Sequence, residues 1–181
     1  GWKQRLALGC AILHEPPILF LDEPTGGVDP ISRRIFWDLI SKLSGQGITI
    51  LVTTHFLDEA EYCNNIILIN AGKLIAKGSP HELKTEHITK PILEVRLTQE
   101  GVVDALERIR RQPWAIETSV FGTRLHVMVN DEGEGKRNIE GVLRTAGLSS
   151  GGVERIMPSL EDVFLYLLEH DGATATHTTN Q

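Results

Sequence analysis

No stretch of this chain stays apolar for the roughly 18 residues that a bilayer-spanning helix needs, and no secretory leader is read before the first helical stretch. None of its segments therefore reads as a membrane span, and any membrane role is expected to come through a partner. Cysteine is scarce. Cys10 and Cys63 are too few and too unpatterned for a disulfide framework or a zinc site. Both fall in helical apolar patterns and read as small core residues in a reducing cytosol. Surplus positive charge is missing too: 18 Lys and Arg against 24 Asp and Glu leave a net charge of −6, so a nucleic-acid surface is not expected. What remains, at 41% hydrophobic and 23% charged over 181 residues, is the composition of a soluble globular protein with room for one ordinary domain, or a partial domain and a small one.

The most informative stretch is PILFLDEPTGGVDP, residues 17–30. Ile18 to Leu21 are apolar without alternation, as expected of a strand covered on both faces. Two adjacent acids, Asp22 and Glu23, follow where that strand should stop, which is where an open α/β sheet binds its ligands. Successive side chains on a strand point to opposite sides, so one carboxylate can face a metal while its neighbour addresses a different atom.

Around this segment the chain alternates. WKQRLALGCAIL reads as a helix with Leu6, Leu8, Ile12 and Leu13, together with Ala7 and Ala11, on an apolar face, stopped by Pro16-Pro17. Asp29 is placed to cap the next helix with Pro30 at its first position, and Ile31, Ile35, Leu39, Ile40 and Leu43 form its stripe. ITILVTT predicts a second buried strand, with His55 directly after it. FLDEAEYC reads as a short helix. IILIN and KLIAKG form a hairpin about Ala71-Gly72, and Ser79-Pro80 opens a further capped helix. Composition changes near Lys90-Pro91. Beyond it the order is strand (92–98), helix (100–111), strand (114–120), strand (124–130), helix (136–146) and strand (153–157), a βαββαβ sequence of the ferredoxin-like kind. A last helix, SLEDVFLYLLEH, begins with a Ser159/Asp162 capping pair and carries Leu160, Val163, Phe164 and Leu167 on one face. The expected domains are thus 1–90, 91–170 and a disordered tail, 171–181.

GWKQRLALG, ILFLDEPT, GGVDP and VTTH occur in the order and spacing of ATP-binding cassette (ABC) ATPases, and the chain resembles that family over residues 1 to about 84. The resemblance implies a partial P-loop NTPase (RecA-like) α/β cassette, ATP and Mg²⁺ as ligands of the complete cassette, and a dimer with a second cassette. Gly1 resembles the last glycine of the signature motif, with Lys3 and Gln4 in the helix start that faces the γ-phosphate on the opposite subunit. Free N–H groups and the positive end of the helix dipole favour an anion at such a start. Asp22 resembles the Walker B aspartate that holds Mg²⁺, usually through water, a mode that suits a hard, hydrated dication. Glu23 resembles the base that polarises the attacking water, and His55 the switch histidine that contacts the γ-phosphate. Asp29 lies in the D-loop, where GGVDP puts Gly26 in place of the usual serine.

The cassette followed by a βαββαβ unit and a closing MPSLEDVFLYL resembles exporters of the ABC-2 type. That implies an ATP-hydrolysing subunit on the cytoplasmic face, coupled to a polytopic membrane permease, with the exported substrate selected by the permease. The residues contain no GxxxxGK[ST] loop, so the phosphate cradle, its lysine and the hydroxyl that completes a Mg²⁺ shell are not among them. A start in mid-motif on Gly1 is expected of a truncated sequence. The chain alone is expected neither to bind ATP tightly nor to hydrolyse it, and to expose a sheet edge and an apolar face. Two other readings stand beside the exporter: a non-catalytic interaction or dimerisation module, and a soluble ABC-type ATPase.

Overall fold

The structure, a computed structural model, describes residues 2–98 and 101–174, the last four as backbone only. It is a mixed α/β protein that divides into two units, 1–64 and 65–181. The division falls earlier than the composition change near Lys90.

The first unit runs α1 (Trp2–Ile12), β1 (Ile18–Asp22), α2 (Pro30–Gly45), β2 (Thr49–Thr53) and α3 (Leu57–Ala60). β1 and β2 pair in parallel, Ile18 opposite Thr49 through Asp22 opposite Thr53. Leu8, Leu19, Phe36, Trp37, Ile40 and Leu43 form the core, with Leu21, Ile50 and Val52 packed against it. Only one face of the strand pair is covered. Ile18, Phe20 and Leu51 on the other face are exposed, so the expectation of strands buried on both sides does not hold, whereas that of an open apolar face does. The helices also turn differently from their sequence stripes. α2 buries Phe36, Trp37, Ile40 and Leu43 and leaves Ile31 and Ile35 exposed, because its core face is centred well round the helix from the 31/35 edge. α1 buries Leu8 while Leu6, Leu13 and Cys10 are exposed, which corrects the reading of Cys10 as a core residue. Cys63 is half-buried, and burial with the nearby Glu59 carboxylate raises its thiol pKa.

The second unit holds the hairpin β3 (Ile66–Asn70) and β4 (Lys73–Gly78), then α4 (Pro80–His87), β5 (Ile92–Leu97), α5 (Val102–Arg110), β6 (Ala115–Phe121), β7 (Arg124–Val129), α6 (Glu132–Thr145), β8 (Ser150–Ile156) and α7 (Leu160–Thr174). Ala71 and Gly72 both take positive φ (48° and 77°), the two-residue turn that matches strand twist in a hairpin. Ser79 and Glu82 form a reciprocal capping box on α4. The four long strands make an antiparallel sheet in the order β6-β7-β5-β8. One face of that sheet packs Leu93, Val95, Leu125, Val127 and Val129 under α5 and α6 through Ala105, Ile109, Ile139 and Leu143. α6 starts four residues before its predicted position, capped by Asp131, whose Oδ1 accepts from Glu134 N at 2.8 Å. Gly133 and Gly135 hid that start. Gly135 is needed inside the helix because a Cβ there would stand 2.8 Å from Val129 and 3.0 Å from Leu93. α7 reaches Thr174 and so takes in the first residues of the expected tail; Gln99, Glu100 and residues 175–181 lie outside the described residues.

The opposite sheet face is mixed, with Ile92 and Met128 buried beside polar side chains, and α7 bonds to it. Asp162, 5% exposed, accepts from Ser159 N and Oγ at 2.8 and 2.7 Å and meets His126 Nδ1 at 2.8 Å. Glu94 on β5 takes Arg96 at 3.0 Å and Arg124 at 3.1 Å. Burial pushes its carboxyl up, but the two guanidiniums and His126 outweigh that and hold it below the usual range. Glu117 on β6 has no such cations. Burial first, then Glu169, raise it to about 7; His170 opposes this and Asp162 adds the smallest push upward. The protonated carboxyl is therefore the form the fold prefers. Its stabilising contribution is complete below the ordinary glutamate pKa and is lost as pH rises through about 7. Glu117→Gln should remove that loss, leaving the variant more stable than the parent at pH 8 by about 1 to 2 kcal/mol, since solvent screens a half-buried carboxyl, and little different at pH 4, as read by urea denaturation at the two pH values.

Candidate functional site

The parallel pairing of β1 and β2 brings their C-terminal ends side by side and gathers three of the sequence-predicted residues there. Asp22 is the last residue of β1, directly across from Thr53, the last of β2, and the Thr53 hydroxyl donates to Asp22 Oδ1. Asp22 Oδ2 accepts no hydrogen bond from the described residues. Glu23 lies just beyond the strand. Its φ of 44° places it in the left-handed region, which costs a non-glycine residue about 1 kcal/mol or more. Thr53 holds it there: Glu23 N donates to Thr53 O at 3.0 Å and reaches Thr53 Oγ1 at 3.3 Å. The two acids do address different partners, but through this backbone kink and not through strand alternation. Glu23 Oε2 meets His55 Nδ1 at 2.8 Å, both side chains open to solvent.

The glycine turn that follows is wound tightly. Gly26 N donates to Glu23 O at 3.1 Å and Val28 N to Thr25 O at 3.1 Å, with Gly27 at φ 68°. The turn delivers Asp29 to the N-cap of α2, where Oδ1 accepts from Ser32 N at 2.9 Å; that bond and the Ser32 hydroxyl hold its carboxyl below the usual aspartate range. Lys3 and Gln4 lie in the first turn of α1, exposed and half-buried respectively, and no bond joins them to the acids; Gly1 lies outside the described residues.

Sequence reading missed the residue that ties these parts together. Glu59 in α3 is fully buried, and its carboxylate accepts from the Thr25 hydroxyl on one oxygen and from Thr54 Oγ1 at 3.0 Å on the other. Arg33 on α2 pairs with it at 3.2 Å, and the same guanidinium lies 4.5 Å over the ring of Phe56, which in turn lies against His55. A glutamate in a short LDEA stretch looks like solvated surface. Only its place between two threonines and an arginine distant in sequence reveals its role.

This arrangement suits a divalent ion held through water. A hard cation prefers carboxylate oxygen, and Asp22 keeps one oxygen clear of protein donors beside an aligned hydroxyl. Among the described residues no group of three or more His, Cys, Asp and Glu stands close enough to cage a metal outright.

Comparison with known proteins bears on the family resemblance. The chain is 60% identical over 86 residues to the probable multidrug ABC transporter ATP-binding protein YbhF of Escherichia coli, which is 48% of this chain and 15% of that protein. It is 37% identical over 172 residues to the Nod factor export ATP-binding protein I of Cupriavidus metallidurans, which is 92% of this chain and 52% of that one. The Bradyrhizobium protein of the same name is 38% identical over 168 residues. The chain is a homologue of ABC transporter ATP-binding proteins. It spans about half the length of the Nod factor export relatives and much less of YbhF. No protein-family model matches it. Among solved structures, CbiO1 of Clostridium perfringens, part of the ABC transporter complex CbiONQ, is 36% identical over 47% of this chain and 35% of its own, with a TM-score of 0.43.

In this ABC homologue Glu59 should matter to stability more than any single group at the open site. Glu59→Ala strands Arg33 and two threonine hydroxyls, and should cost about 3 kcal/mol in urea denaturation. His55→Ala, which removes an exposed pair, should change stability by less than about 1 kcal/mol in the same measurement.

Proposed function

We propose that these residues form part of the ATP-hydrolysing subunit of an ABC-type exporter, which couples hydrolysis to transport through a membrane permease. The observation that carries the reading is the joining of Asp22, Glu23 and His55 at the ends of two adjacent parallel strands, in a chain whose homologues are ATP-binding proteins of ABC transporters.

Each residue then has one task. Asp22, with one carboxylate oxygen fixed by the Thr53 hydroxyl, would be the residue that holds hydrated Mg²⁺. Glu23 polarises the attacking water; its kinked backbone aims the carboxylate away from the metal ligand. His55 donates an N–H to the γ-phosphate, and its 2.8 Å contact with Glu23 keeps donor and base within one hydrogen bond of each other. Bound Mg·ATP supplies the phosphoryl group and neutralises its charge in transfer. Gly1, Lys3 and Gln4 serve the nucleotide of a second cassette across a dimer, and Asp29 contributes to that interface while capping α2.

We further propose that residues 1–90 are the cassette portion and 91–170 a ferredoxin-like domain with a regulatory or dimer-stabilising role. The β6-β7-β5-β8 order with α5 and α6 on one face supports this. The subunit works at the cytoplasmic face of the membrane through its permease. Among the described residues no helix is long and apolar enough to cross a membrane.

In the complete protein Glu23→Gln should lower ATP turnover by roughly 10²–10⁴-fold while nucleotide binding persists. Normal turnover in that variant removes Glu23 from the role of base. The reading as a non-catalytic module is favoured by one observation, the absence of a phosphate-cradling loop from the 181 residues. By itself, then, this chain should show no saturable ATP binding in the micromolar range by titration calorimetry.

A further inference from the structure

In a chain of net charge −6, the outer groove between α5 and α6 collects three arginines. Arg108 and Arg111 come from the C-terminal end of α5 and the residue after it, and Arg137 from the middle of α6. The groove is open to solvent, offers about 500 Å³ of space, and no acid lines it. Asp104 and Glu107 pair with Arg108 at 2.7 Å and Arg111 at 3.8 Å along the surface of α5. Arg137 has no carboxylate partner among the described residues.

Other groups in the groove fit an anion as well. The Asn138 amide makes no bond to the described residues, and Trp114, half-buried against the core, adds an aromatic ring to the lining. Gly141 leaves the floor open: a Cβ there would meet nothing within 4 Å. Alanine is the better helix former, so neither packing nor helix propensity accounts for a glycine at this place. Arg108 and Arg111 share their charge with acids along α5, and Arg137 brings a guanidinium that no carboxylate of the described residues neutralises. The planar guanidinium forks match the oxygens of a phosphate, and several of them favour a multiply charged anion over a single carboxylate.

We propose that the α5–α6 groove binds a phosphate-bearing ligand, with Arg137 as its central contact and Arg108 and Arg111 beside it. The ligand's phosphate can belong to a free phosphate ester or to a phospholipid headgroup. The site is independent of the ATPase reading.

The test uses the whole chain. Pyrophosphate is titrated by calorimetry, and sedimentation is measured with phosphatidylglycerol/phosphatidylcholine vesicles and with phosphatidylcholine vesicles alone. Arg137→Glu reverses the central charge at an exposed position and Gly141→Leu adds a side chain where a Cβ would meet nothing within 4 Å; circular dichroism checks the folding of both variants. Saturable pyrophosphate binding that both variants weaken by roughly tenfold or more supports the site with a free phosphate. Sedimentation only with the anionic vesicles, lost in both variants, supports it with a lipid headgroup. Binding of neither probe, or binding that survives both substitutions, overturns the proposal.

Discussion

The parallel register that sets Asp22 opposite Thr53 governs everything the open site can do. The side-chain period of a strand is two, so a slip of one residue would turn the threonine hydroxyl to the other face and separate it from the acid. The register also carries one bond past the end of β1, from Glu23 N to Thr53 O. That bond holds Glu23 in a left-handed conformation which a glutamate would not keep alone. One residue of β2 thus orients both carboxylates: the first through its side chain, the second through its backbone.

Glu59 does for the flanking loops what Thr53 does for the strand ends. Its two oxygens connect the glycine turn at Thr25 with the loop at Thr54, and Arg33 brings in α2. A buried carboxylate in this position is unfavourable unless all its bonds are made, so the loops carrying Glu23 and His55 are coupled: a shift in one exposes an unsatisfied charge belonging to the other. This coupling makes the distance between acid and histidine a property of the fold, even though both side chains are themselves solvent-exposed.

How far such features can be read from sequence depends on the range of the interactions behind them. The caps at Asp29 and Ser79, and that of Ser159 with Asp162, were legible because a cap is made within four residues. The strand at ILFLD and that at TILVT were legible from β-branched and apolar content, and their acids and histidine from motif spacing. The start of α6 was not, because Gly133 and Gly135 look like a loop until the approach of Val129 and Leu93 is seen. Glu94, His126 and Asp162 were not either. On their own strands and helix they look like an ordinary polar face, and only the pairing of β5 with β7 and the docking of α7 make them one buried group. The open face of β1 and β2 was misread in part because a continuous apolar run does not say which of its faces is covered.

That open face bears on the chemistry. Ile18, Phe20 and Asp22 alternate onto one side of β1, and Thr49, Leu51 and Thr53 onto the corresponding side of β2, while Leu19, Leu21, Ile50 and Val52 point into the core. Asp22 and its threonine therefore stand at the end of an apolar strip that is exposed in this unit, with Phe20 72% accessible. Any apolar surface laid on that strip would also remove water from around the Asp22 carboxylate. Desolvating a lone carboxylate is costly, but the same loss of water strengthens its attraction for a dication. Covering the strip and holding a metal at Asp22 should therefore favour each other. An acid that is a solvated strand end while the face is open would attract a dication more strongly once the face is closed.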